Sequence, residues 1–486
     1  MTLSLFRPFG RIAASVVAIT CLTSTAALAQ SAPPPISDEV REDARRIVDA
    51  AMQDDAGWKK LEHLTTRIGN RLSGSAQLEQ AIRWAGDGMK AEGLDNVWLQ
   101  PVKVPHWVRG AASARVLAPQ AKELEILALG GSVATPAGGI TAPVVVADSF
   151  EALTAMGRER VAGKIVVFTP QWEGYGRTVQ YRGRGASFAA ALGAVAVLVR
   201  SATGRSIYSP HTGGMNYTEN APKIPAAAIT VEDAEWFRRM RYAGEELRVE
   251  LRLETEMRAD ADSANVIGEI TGREKPEEVV VLGGHIDSWD VGQGAHDDGA
   301  GVMAAWHAVT LLKKLGLKPR RTVRVVLWTN EENGLRGGDA YRAWVGEKVG
   351  NHVAAIEMDG GAERPTGFGF GMEGVTAEKS TPQYEAALEK VRAIGALLEE
   401  IGAGQIQRGG GGADIGPLMR GGVPGLGLRT IGEHYFDWHH TKADTLDKIN
   451  PEDFRKCTAM LAVMSYVLAE MPERLVPPAT LPAKQP

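Results

Sequence analysis

Four apolar runs in the second half of the chain each end on an ionisable residue, and this restricts the possible folds more than any other feature. Residues 279–282 lead through Gly283 and Gly284 to His285-Ile286-Asp287, and residues 323–328 lead through Thr329 and Asn330 to Glu331-Glu332. Residues 353–358 run directly into Asp359, and a short run at 426–428 precedes a loop that closes on His439-His440-Thr441. Helical patterning separates these runs, at 299–315, 338–345 and 382–401, and a closing helix is expected at 451–471 behind Asn450-Pro451. Short strands alternating with helices specify an α/β fold: a mostly parallel sheet with helices on both faces. Ligands of such sheets bind in the crevice beyond the carboxyl ends of the strands. The pattern therefore brings His, Glu, Asp and His to one rim.

Asp297 and Asp298 add a further acid at the start of the helix that follows the first run. A helix N-terminus favours an aspartate by itself, which accounts for either residue but not for both having no other task. Carboxyl groups crowded together repel and raise one another's pKa, a penalty that a divalent cation removes. Nitrogen and oxygen donors without a thiolate suit zinc, with manganese or cobalt as substitutes. Two imidazoles and three carboxylates exceed the three protein ligands of one catalytic zinc, whereas two zinc ions sharing a bridging carboxylate use all five.

The chain has 486 residues, with Lys plus Arg at 54 against Asp plus Glu at 59, and no dense basic block. A nucleic-acid or anionic-membrane role has no electrostatic footprint here. Arg7 and Arg11, the uncharged stretch 12–22 and Ala27-Leu28-Ala29 form the three-part pattern of a secretory signal peptide over 1–29. That stretch is too short and too rich in Ser and Thr for a membrane anchor, and the expectation is export to the periplasm or medium. With Cys21 removed, Cys457 has no intrachain disulfide partner. Helical patterning at 40–52 and 78–93 belongs to a first catalytic segment, 30–137. A separate α/β block with strands at 144–146, 164–168, 194–199 and 224–229 marks an insert over 138–257. A second catalytic segment covers 258–473, and a Pro-rich tail, 474–486, is expected to be loosely held.

The strings GGHIDSWDVGQGAHDDGAG, WTNEENG, IEMDGG and HHTKADT resemble the metal motifs of metallopeptidase family 28. The inserted block, through GKIVVF, GAVAVLVRS, SIYSPHTGGMNY and KIPAAAITVEDAE, is similar to a protease-associated domain. The resemblance implies a zinc-exopeptidase fold and two zinc ions. His285 and Asp359 become ligands of one ion, Glu332 and His440 ligands of the other, and Asp297 the bridge. It makes Glu331 the general base and Asp287 the carboxylate that orients His285. It implies a peptide substrate and a homodimeric assembly. His439, Tyr435, Asp414 in its glycine-rich loop and His211 of the insert are the expected substrate-facing residues. His63, His106, His296, His307, His352 and His434 are assigned structural roles.

The expected function is that of a dizinc dipeptidase or carboxypeptidase, with an aminopeptidase as the rival inside the family. A glutaminyl cyclase, which keeps one zinc, and a receptor-like protein that has lost its ligands are more distant readings. The intact five-ligand set argues against both.

Overall fold

A computed structural model of the chain describes residues 36–376 and 378–478. The expected signal peptide lies outside the described residues, as does the end of the Pro-rich tail. None of the described helices is long and apolar enough to cross a membrane.

The catalytic sheet has eight strands. In spatial order they are Asp95–Val108, Glu256–Ile270, Arg321–Trp328, Lys275–His285, His352–Glu357, Gly425–Thr430, Pro365–Gly371 and Gln405–Arg408. Its four central strands, from Arg321–Trp328 to Gly425–Thr430, are parallel. Antiparallel pairings flank them, with Glu256–Ile270 on one side and Pro365–Gly371 on the other. Alternation along the strands fills two cores. Val280, Leu282, Val323, Val325 and Ile356 face one side, while Val279, Val281, Val326 and Ala355 face the other. Each such buried aliphatic side chain contributes about 1.5–3 kcal/mol by leaving water.

On the first side lies Ala300–Lys314, buried without interruption from Ala300 to Leu312. A helix apolar all round must be covered all round, and the helices Asp38–Gln53, Ala56–His63 and Pro451–Glu470 cover it. Asn450 caps the last of these, accepting from the Glu452 N–H at 2.8 Å ahead of Pro451. Cys457 is buried within it as a free thiol.

The register sets the rim. His285 pairs with Trp328, Gly283 with Glu357, and Glu357 with Gly427, so the carboxyl ends of four strands finish level. The His285 strand has one successor on each flank, which makes its end a switch point in the chain order. Gly283 and Gly284 are required by space. A Cβ on Gly284 would stand 2.1 Å from Asp298 Oδ2 and 3.0 Å from the Met358 carbonyl. Gly284→Ala is expected to destabilise the fold by about 1–3 kcal/mol through overpacking and to lower metal affinity by displacing Asp298. Denaturant melts with metal titration of the same variant check both.

The second sheet belongs to the insert, and it differs from expectation at its start. Lys122–Leu124, Ala112–Ala118, Arg248–Leu253, Ile140–Ala147, Ile165–Phe168, Ala196–Arg200, Ala226–Ile229 and Ile126–Ala128 lie in that order. Three of these strands precede residue 138, so the insert's sheet begins near 112. They are short, and Val116 and Ala128 gain their strand partners only from Arg248–Leu253 and Ala226–Ile229, far along the chain. The tail also departs from expectation at its start. Leu475 and Val476 are buried, and Arg474 Nη2 donates to the carbonyls of Gly350 and His352 at 2.7 and 2.9 Å.

Candidate metal centre

At the switch point His285, fully buried, ends its strand with Nε2 3.2 Å from Asp297 Oδ1 and 3.6 Å from Asp359 Oδ1. On the other side of Asp297, His440 Nε2 lies 3.1 Å from Asp297 Oδ2 and 3.0 Å from Glu332 Oε2. The five expected ligands thus meet, with Asp297 between two pairs, His285 with Asp359 and His440 with Glu332. His439 stacks on His440 at 3.6 Å between ring centroids, and its Nε2 is 3.5 Å from Asp297 Oδ2.

Asp298 does not share this role. Its carboxylate accepts the His285 and Gly301 N–H groups, both at 3.1 Å, and so ties the strand end to the buried helix. The peptide bond joining Asp297 and Asp298 is cis. Asp287 also works through the backbone. Its own carbonyl stands 3.0 Å from His285 Nδ1, while its carboxylate accepts the N–H groups of Glu331 and Glu332 at 3.0 and 3.3 Å. One residue therefore orients a ligand and seats the two acids of the neighbouring strand.

Two buried residues that carried no separate signal in the sequence complete the scaffold. Asp444 accepts three successive N–H groups, those of Ala295, His296 and Asp297, at 3.1, 2.7 and 3.2 Å. It aims the loop that carries Asp297. Arg71 is fully buried and donates to the carbonyls of Ile286, Gly69, Gln293 and Gly294 at 2.6–3.0 Å. Burial pushes its pKa down to about 10, against the opposing pull of Asp444 and Asp287. Its charge offsets the surrounding acids from behind.

Those acids cannot all ionise unaided. Enclosure by protein, with Asp297 beside it, raises the Glu332 carboxyl to about 7. Enclosure also raises Glu331 well above the usual range, helped by Asp359 and Glu332 against the pull of His285. Burial would lower the two imidazoles, yet hydrogen bonding to Asp297 and Asp359 lifts His285 well above its usual value. The Glu332 charge, with the Asp297 hydrogen bond, does the same for His440. Buried Glu332 Oε1 nevertheless accepts no hydrogen bond, and Asp297 Oδ2 faces only imidazole nitrogens. Buried carboxylates and imidazoles that converge in this way suit a divalent cation in place of the imidazole protons, and oxygen and nitrogen donors of this kind fit zinc.

The centre opens into a cleft of about 1130 Å³ between the catalytic sheet and the insert. Asp297, Glu331, Glu332, Asp359, Tyr435, His439 and His440 line it from one side, and Tyr175, Arg182, Asn216 and Lys223 from the other. Two of the expected substrate-facing residues do not line it. Asp414 is buried behind the rim beside Glu357, whose carboxylate accepts the Asp414 and Ile415 N–H groups at 3.4 and 2.8 Å. His211 is buried within the insert, its N–H on Ser201 Oγ at 2.8 Å, and burial, with His440 nearby, pushes its pKa down to about 3. Both are walled off by the packing that places their neighbours. Of the histidines assigned structural roles, His296, His307 and His352 are buried, the last with Nε2 3.0 Å from the Tyr341 hydroxyl.

Residues 265–465 match the model of Peptidase family M28, and residues 140–237 match that of the PA domain. Carboxypeptidase Q of Xenopus laevis is 42% identical over 435 residues, covering 89% of this chain and 90% of that protein. Its Bos taurus counterpart is 43% identical over 418 residues, 86% of each chain. Among solved structures, a Peptidase M28 precursor from Shewanella amazonensis SB2B is 36% identical with a TM-score of 0.85, covering 91% of this chain and 100% of that one. An aminopeptidase from Aneurinibacillus sp. strain AM-1, 21% identical with a TM-score of 0.63 over 89% and 98% of the two chains, shares the fold.

Proposed function

The chain belongs to peptidase family M28, and on that premise we propose that it is a dizinc exopeptidase that hydrolyses dipeptides or the C-terminal bond of short peptides. The observation that carries this reading is Asp297, whose two carboxylate oxygens each face a different imidazole, one shared with Asp359 and the other beside Glu332. His285 and Asp359 would hold one ion, His440 and Glu332 the other, with Asp297 common to both. Zinc so held would supply a Lewis acid for a scissile carbonyl and for a water molecule near neutral pH.

The remaining work falls to side chains of the cleft. Glu331 faces the cleft, and its backbone is fixed by Asp287. It takes the proton of the attacking water and delivers it to the leaving amine. Tyr435 keeps its phenolic proton, because burial, with Asp297 and Asp359 close by, raises its pKa well above the ordinary value. It and His439 are the donors available to a developing oxyanion. Lys223, on the insert side of the cleft, offers a cation to a free C-terminal carboxylate. That feature and the carboxypeptidase relatives favour C-terminal or dipeptide cleavage over aminopeptidase action. The signal-peptide pattern at 1–29 supports export.

Metal analysis of the purified protein, then a panel of dipeptides with free and blocked ends before and after chelation, tests the reading. Hydrolysis that survives full metal removal excludes it, and cleavage of C-terminally blocked substrates alone makes the enzyme an aminopeptidase. A pH effect follows from the same site. In metal-free protein His285 and His440 hold protons above their usual range. Zinc must displace those protons, so its affinity falls as pH drops and binding at neutral pH releases protons. Titration in weak buffer with an indicator dye measures the release, and an affinity flat with pH contradicts it.

A further inference from the structure

The two sets of ligands are not supported alike. The His285 imidazole is oriented by a carbonyl two residues along its own strand end, that of Asp287 at 3.0 Å. The His440 imidazole turns its Nδ1 out of the catalytic domain, onto the carbonyl of Thr212 in the insert at 3.2 Å. Ligation through Nε2 requires the proton on Nδ1, and that N–H requires an acceptor. The acceptor is thus borrowed from a loop of the insert.

We propose that the insert is a working part of the metal centre, with Arg182 a positioning residue that fixes the Thr212 carbonyl and through it the His440 ligand. This rests on the dizinc reading above. Arg182 Nη1 donates to that same carbonyl at 3.0 Å and stands 3.3 Å from His440 Nδ1 itself, so with the proton on Nδ1 the guanidinium and the imidazole share one oxygen. Arg182 Nη2 donates to the Tyr175 hydroxyl at 2.7 Å, and the residue is 8% exposed. Thr212 is held from three further directions. Its N–H donates to the His440 carbonyl at 3.0 Å, its hydroxyl donates to the Ala128 carbonyl at 2.9 Å, and Arg109 Nη1 reaches that hydroxyl at 3.1 Å.

The backbone is shaped to permit this contact. Gly213 has φ of 138°, and a Cβ there would lie 2.2 Å from Arg182 Cζ. His440 itself sits at φ 63°, a conformation a non-glycine residue keeps only when its surroundings hold it. A second arginine of the insert, Arg205, reaches the other end of the same loop, with Nη1 3.0 Å from Asp437 Oδ2. Arginines from the insert therefore fasten the His439–His440 loop at both ends.

The test is zinc titration of the metal-free full chain, with a competing chelator, for wild type, Arg182→Met, Arg182→Lys and Tyr175→Phe. Loss of an outer partner of a ligating histidine costs about 10–100-fold in metal affinity. Arg182→Met is therefore expected to bind one ion as wild type does and the second about 10–100-fold more weakly, with excess zinc recovering turnover. Arg182→Lys should fall between them, and Tyr175→Phe should weaken the same ion by less. Wild-type affinity for both ions in Arg182→Met overturns the proposal, as does equal weakening of both. If Arg182→Met does not fold, unchanged second-ion affinity in Tyr175→Phe overturns it instead. Fewer than two ions in wild type refutes the dizinc reading itself.

Discussion

Glu331→Gln is expected to lower kcat by a factor of about 10²–10⁴, the usual contribution of a positioned general base, while leaving metal content at the wild-type value. The separation of the two effects comes from the local geometry. Glu332, not Glu331, stands 3.0 Å from His440, and the backbone of both acids hangs on Asp287 rather than on their own side chains. An amide at 331 keeps the shape and the cleft wall but cannot accept a proton. Zinc content by mass spectrometry beside steady-state kinetics reads the outcome. Substantial turnover with full metal would remove Glu331 from the role of base, and loss of metal would make it a ligand.

Chelation is expected to have the largest effect on stability. Binding to the native state alone stabilises by about 4 kcal/mol for a site held at a thousandfold over its Kd. Removing both ions should therefore lower the melting transition markedly and abolish turnover, with recovery on adding zinc, manganese or cobalt. The acids left behind explain the size of the effect. Without a cation, Glu332 is raised to about 7 and Asp444 likewise to about 7, chiefly by burial. Magnesium should restore little, since it favours octahedral oxygen sites and gives up its water reluctantly. Superimposable melts with and without chelator would mean that the centre holds no tightly bound metal.

The convergence of the candidate ligands was legible in the sequence because a parallel sheet makes position along the chain equivalent to position in space. His285, Glu332 and Asp359 each follow a buried run, and level strand ends do the rest. The choice between Asp297 and Asp298 was not legible from the helix start, since either acid suits it. It is made by where each carboxylate lies, one facing imidazoles and the other the N–H groups of His285 and Gly301. Arg71 was silent because its partners are backbone carbonyls, two of them 222 and 223 residues away, and no side-chain pattern records those. Glu256–Ile270 was missed because its first half is exposed and reads as loop, with pairing to Asp95–Val108 supplying the strand. Pro365–Gly371, with alternating glycine and phenylalanine, has half a strand's side chains and packs by close backbone approach. The beginning of the insert escaped for the same reason as Arg71: its cause is distant in the chain.

A space of about 1130 Å³ lined on one side by the catalytic sheet's rim and on the other by the insert is also a measure of what it can hold. A few residues of free peptide fill a volume of that order, which is near the upper end of ordinary ligand sites. On the proposed exopeptidase reading, a cleft of this size suits short free peptides.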